Sequence, residues 1–110
     1  MAFLALASQK SLLTLQKNFL QLQYTSIMNQ ENAAAAKMAA IEKDHRGEQG
    51  YNLENDAEYV YYEQLDEQLS TEKDSIDTQL TAIENEISSL KTLVNNNVKS
   101  SCTLNLASGG

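Results

Sequence analysis

Histidine and cysteine each occur once in this chain of 110 residues, as His45 and Cys102. One histidine excludes a multi-histidine metal site, and no cysteine lies near it to make a local Cys–His pair. A single cysteine also rules out an internal disulfide. Carboxylates are plentiful between positions 63 and 86, at Glu63, Asp66, Glu67, Glu72, Asp74, Asp77, Glu84 and Glu86. Acid–base catalysis requires carboxylates in a pocket that shifts their pKa, and exposed helix positions offer none. No glycine-rich phosphate loop, zinc spacing or calcium-loop pattern is present. Four tyrosines cluster at Tyr51, Tyr59, Tyr61 and Tyr62. Tyr62 is placed to begin a packing seam, and the others to cap one end of the molecule or to form a contact patch. These residues predict a protein without catalytic activity, cofactor or metal.

The elements that hold them are read from the structure breakers. Proline is absent, and the four glycines are Gly47, Gly50, Gly109 and Gly110. Glycine and proline are the strongest local punctuators, so the chain has one marked interruption. The expected organisation is a single all-α domain, a long antiparallel helix–turn–helix or coiled-coil hairpin that self-associates. Its first helix runs from about Ser8 to about Asp44, the turn covers about 45–55, and the second helix runs from about Asp56 to about Lys99. Residues 100–110 form a tail, disordered or extended. Gly47 is a natural C′ residue for the first helix, and Asn55 with Glu58 has the spacing of a capping box for the second.

The first helix begins with "LLTLQKNFLQLQ", residues 12–23. Wound at 3.6 residues per turn, this stretch is apolar on two sides. Leu12, Leu15, Phe19 and Leu22 form one stripe; Leu13 and Leu20 form another roughly 80–100° away, which continues through Tyr24, Ile27 and Met28. On the second helix Leu65, Ile76, Ile87 and Val98 recur every eleven residues, as do Leu69 with Leu80 and Ile83 with Val94. Eleven residues correspond to about 3.67 per turn and a nearly straight stripe, whereas a heptad reading holds from Tyr62 to Ile76 and then slips at Leu80. The second helix therefore covers one stripe of the first. The expectation assigns the intrachain seam to Leu12, Leu15, Phe19 and Leu22 against the second-helix residues, and leaves Leu13, Leu20, Tyr24, Ile27 and Met28 as a self-assembly interface.

Charge narrows the partners. The net charge of −7 speaks against nucleic acid, whose binding rests on basic contacts to phosphate, and against an anionic membrane surface. Residues 1–46 carry five basic and three acidic groups, and residues 47–110 three basic and twelve acidic ones. No run of about 20 apolar residues occurs, so membrane insertion is not expected. The opening "MAFLALAS" lacks a basic n-region, so an uncleaved N-terminus is expected.

A proline-free helical hairpin rich in Asn, Gln and Ala resembles the axial subunits of type III secretion systems and flagella. "SLLTLQKNFLQLQ", residues 11–23, is similar to the N-terminal helix of flagellins in its Ser-Leu-Leu-Thr start and in Asn18. That resemblance implies long helices interlocking in a tube and contact with secretion machinery. The length and hairpin form also resemble secreted WXG100 proteins, although the turn reads His45-Arg46-Gly47 without tryptophan. A Tyr-x-x-x-Asp pattern lies at Tyr62–Asp66. In that family two hairpins make a four-helix bundle.

The expected function is a non-enzymatic structural subunit that self-assembles through its N-terminal helix into a filament or tube, extracellular or at the cell surface. The alternatives are a cytoplasmic coiled-coil adaptor or secretion chaperone, and a WXG100-like secreted dimer. Other copies of the chain are the expected partners.

Overall fold

The computed structural model describes residues 2–109, and the side-chain surroundings of residues 5–96. It is an all-α hairpin of two long helices packed against each other: α1 covers Ala2–Asp44 and α2 covers Ala57–Gly109, with a single 3₁₀ turn, Leu53–Asn55, between them. Both helices outrun their expected lengths. No glycine or proline interrupts residues 2–46 or 51–108, so α1 starts well before Ser8 and α2 continues through residues 100–109, where a tail was expected.

The two ends at the turn are defined by side chains and by glycine. Beyond Asp44, Gly47 takes φ +90° and Gly50 φ +83°, the left-handed region that L side chains rarely enter. The Glu48 amide donates to the His45 carbonyl at 3.1 Å across this bend. The cap of α2 is Asp56 and not the expected Asn55. Its backbone is extended, and its Oδ1 accepts from the Tyr59 amide at 2.8 Å. A carboxylate gains more at a helix N-terminus than an amide, because it meets the positive end of the helix dipole. Asn52 does the same for the 3₁₀ turn, accepting from the Glu54 amide at 3.0 Å.

Burial reveals the seam. The buried residues of α1 are Leu20, Ile27, Ala34 and Ile41, each seven after the last. With the half-buried Lys10, Leu13, Lys17, Tyr24, Glu31, Met38 and His45 they alternate by three and four, the spacing of a coiled-coil seam. On α2, Tyr59, Tyr62, Asp66, Leu69, Lys73, Ile76, Leu80, Ile83, Ile87, Leu90 and Val94 alternate in the same way, with Leu69 and Ile76 buried and the rest half-buried. The eleven-residue reading of α2 is thus corrected to an unbroken heptad. The step from Ile76 to Leu80 belongs to the three-four alternation, and the seam positions held by Asp66 and Lys73 hid it. Leu65 flanks this seam half-buried.

The chain divides into two compact units, Leu22–Asp77 and the paired segments Met1–Gln21 with Thr78–Gly110. In the first, Ile27 and Ile76 line one groove, and the Glu31 and Lys73 side chains meet across the seam at 3.2 Å. In the second, Leu20 lines a groove with Ile83, Leu13 lines another with Leu90, and Lys17 pairs with Glu84 at 3.7 Å. Each unit is an antiparallel helix pair with a thin apolar seam, and an interhelical ion pair spans each among the described residues.

Candidate interaction surface

The structure reverses the burial expected of the two stripes on α1. Leu12, Leu15, Phe19 and Leu22, expected in the intrachain seam, are 57, 66, 60 and 71% exposed. Leu13, Leu20, Tyr24 and Ile27, expected to meet other copies, are half-buried or buried within the hairpin; Met28 alone of that group remains exposed. The physical reason is length. The stripe that includes Leu13 repeats without a break through Ile41, so it matches α2 along the whole helix, although Lys10, Lys17 and Glu31 interrupt its apolar character. The stripe that includes Leu12 holds large apolar residues for four positions only and then passes to Ser26 and Asn29. On α2, Leu69 and Ile76 are buried, and Leu65, Leu80, Ile83, Ile87 and Val94 are half-buried. Val98 lies outside the residues whose side chains are described, as does Cys102.

Leu12, Leu15 and Phe19 stand beside grooves of the unit that contains them. Leu12 borders one with Gln9, Gln16, Ser89 and Leu90; Leu15 and Phe19 border the next with Gln79 and Ile83. Leu22 occupies the next position of the same spacing along α1. The surrounding side chains are amides and hydroxyls together with Glu86 in the groove at Leu12 and Lys10 in that at Leu15, and from Asn18 to Gln30 the helix carries no charge. Exposed large apolar residues grouped in this way make the surface a candidate for interaction.

The perturbed titratable groups are elsewhere, at the turn and in the seam, and each has a structural cause. The His45 ring stacks on Tyr51 with centroids 3.7 Å apart and planes 7° from parallel, while its Nδ1 lies 3.0 Å from Glu48 Oε2. The Tyr51 hydroxyl donates to Asp56 Oδ2, which pushes the phenol up to about 12 and holds the Asp56 carboxyl below its ordinary value. Tyr59 donates to Glu42 Oε1 at 3.0 Å, and its pKa is raised by that bond. Tyr61 and Tyr62 meet edge to face at 5.2 Å, with Tyr61 exposed. Tyr51 and Tyr59 therefore tie the turn to the helix ends. The hydrogen bond to Glu31 raises the pKa of Lys73. These groups act as caps and seam partners.

Among the described residues no group of three or more His, Cys, Asp or Glu side chains is placed to hold a metal ion, and no helix is long and apolar enough to cross a membrane. Comparison with protein families, curated proteins and solved structures finds no match to this chain.

Sequence reasoning missed the interhelical pairs Lys17–Glu84 and Glu31–Lys73, and with them the true seam. The signal was present: a count of heptads along all of α1, charged positions included, favours the stripe through Leu13 over the one through Leu12.

Proposed function

We propose that the chain is a non-enzymatic structural subunit that self-assembles through its N-terminal helix into a filament or tube, in an extracellular or secretion-related setting. The observation that carries this reading is the exposed stripe Leu12, Leu15, Phe19 and Leu22 on a helix whose other apolar stripe is already used by the hairpin. Full burial of one such side chain is worth roughly 1.5–3 kcal/mol. At the observed exposures each retains about 1–2 kcal/mol to gain, so eight side chains across a pair of copies supply roughly 8–16 kcal/mol against an association cost of about 4–15 kcal/mol. That balance supports association that depends on concentration.

The reading is tested by sedimentation velocity and negative-stain microscopy over a concentration series. The expected result is growth of larger species with concentration, abolished in Leu15→Glu with Phe19→Glu while helicity by circular dichroism is retained. A parent chain that stays monomeric throughout the series, or association unaffected by the double substitution, would overturn it.

A further inference from the structure

We infer that the turn of the hairpin carries a groove for a lysine or arginine side chain of a basic peptide segment, presented by another protein. The inference is independent of the self-assembly reading. It concerns the turn and the start of α2, wholly within the unit Leu22–Asp77.

Tyr51, Leu53, Glu54, Tyr59 and Glu63 are among the residues lining a groove of about 580 Å³ at the turn. The lining is of two kinds. Tyr51, Leu53 and Tyr59 supply aromatic and apolar surface, and Glu54 and Glu63 supply exposed carboxylates. No lysine, arginine or histidine lines the groove, and neither carboxylate belongs to an ion pair among the described residues. A lysine or arginine side chain has the same division, an apolar stem carrying a charged head. The stem fits the tyrosine and leucine surface, where a cation also gains from the ring faces. The head fits the carboxylates, as a charge-assisted donor.

The tyrosine rings are held without drawing on those two carboxylates. Tyr51 stacks on His45 through one face and donates its hydroxyl to Asp56. Tyr59 donates to Glu42 Oε1 at 3.0 Å. A ligand therefore meets walls already in place, and little ordering opposes its binding.

Charge complementarity selects a basic partner. From Gly47 to Glu72 the chain carries eight carboxylates and no lysine, arginine or histidine. That field draws in a basic segment and repels an acidic one, including the acidic portion of another copy. A metal ion fits less well: hard cations take six or more oxygen ligands, and among the described residues no group of three or more candidate ligands is placed to hold one.

Nuclear magnetic resonance tests the groove. Amide shifts of the full chain, at concentrations where it is monomeric, are followed during titration with a capped Gly-Lys-Gly-Arg-Gly peptide. The expected result is saturable shifts at residues 50–54, 59 and 63, absent with a capped Gly-Gln-Gly-Gln-Gly peptide. Glu54→Gln with Glu63→Gln should weaken binding about tenfold. Glu67→Gln with Glu72→Gln removes the same charge outside the groove and should weaken it less than about twofold. Circular dichroism confirms native helicity in both variants. Equal weakening by the two pairs would reduce the effect to diffuse charge and overturn the groove, as would the absence of saturable shifts. Shifts at the same residues on raising the chain's own concentration without peptide would assign the groove to a second copy and overturn the basic partner.

Discussion

The Lys73 ammonium lies 3.2 Å from Glu31 Oε1 and donates to Oε2 at 3.5 Å, within a seam that also contains Ile27, Ala34, Leu69 and Ile76. Oε1 is shielded from solvent and met by the ammonium charge without hydrogen-bond alignment. A shift of one helix by a turn would set Glu31 against an apolar residue, so the pair supports the register as well as the stability of the hairpin.

Replacing one partner should cost more than replacing both. Glu31→Leu or Lys73→Leu alone leaves a charge in the seam without its counter-ion, and the melting temperature should fall in each. The double substitution should melt at or above the parent. A double-mutant cycle by thermal denaturation checks the order. Because the pair raises the pKa of Lys73, its contribution is fully present below the unfolded lysine value and is lost as pH climbs through the folded one.

The two stripes of α1 should separate folding from association. Ile27→Ala and Ile76→Ala should each cost about 2–5 kcal/mol in denaturant unfolding, the ordinary range for truncating a buried isoleucine. Leu15→Ala and Leu22→Ala should stay within about 0.5 kcal/mol at concentrations where the chain is monomeric. Equal losses at both sets would contradict the placement of the seam.

At the turn, pH dependence should appear on both flanks. The Asp56 carboxyl is held below its ordinary value by the Tyr51 hydroxyl and the Tyr59 amide. Its contribution is therefore present above the unfolded carboxyl value and lost as pH falls through the folded one. The Tyr51 phenol, pushed up to about 12, contributes below pH 10 and loses that contribution between about 10 and 12. Melting curves across pH should show both limbs in the parent. Tyr51→Phe should flatten the alkaline limb, and Asp56→Asn the acid one.

Gly47 and Gly50 have open space where a Cβ would stand, so substitution there is opposed by backbone conformation alone. Gly47→Ala should destabilise the hairpin by about 1–2 kcal/mol, the penalty of the left-handed region for an L residue, and Gly47→Asn by less. Chemical denaturation of the two variants measures the difference.

The hairpin was legible because breakers and periodicity act locally: two glycines within four residues, Gly47 and Gly50, end one long helix, and residues 2–46 contain none. The assignment of the α1 stripes was not. Leu12, Leu15, Phe19 and Leu22 form the denser apolar pattern in a short window, whereas the choice between stripes is made by pairing along the full helix. Lys10, Lys17 and Glu31 look like breaks in a seam until partners such as Glu84 and Lys73 are seen across it. The N-cap moved from Asn55 to Asp56 for a similarly local reason, a difference of charge that spacing alone does not register.

Among the described residues, burial is unequal between the two units. Among the residues whose side chains are described, five of the six buried ones, Ile27, Ala34, Ile41, Leu69 and Ile76, belong to Leu22–Asp77, and Leu20 to the other. Amide hydrogens around those five should therefore exchange slowest with solvent, and those near Leu13 and Leu90 sooner, since protection follows local packing. Leu12, Leu15 and Phe19 sit in the unit expected to exchange sooner. A second copy laid there would quench its openings, so each act of assembly would also complete the folding of the segment that performs it.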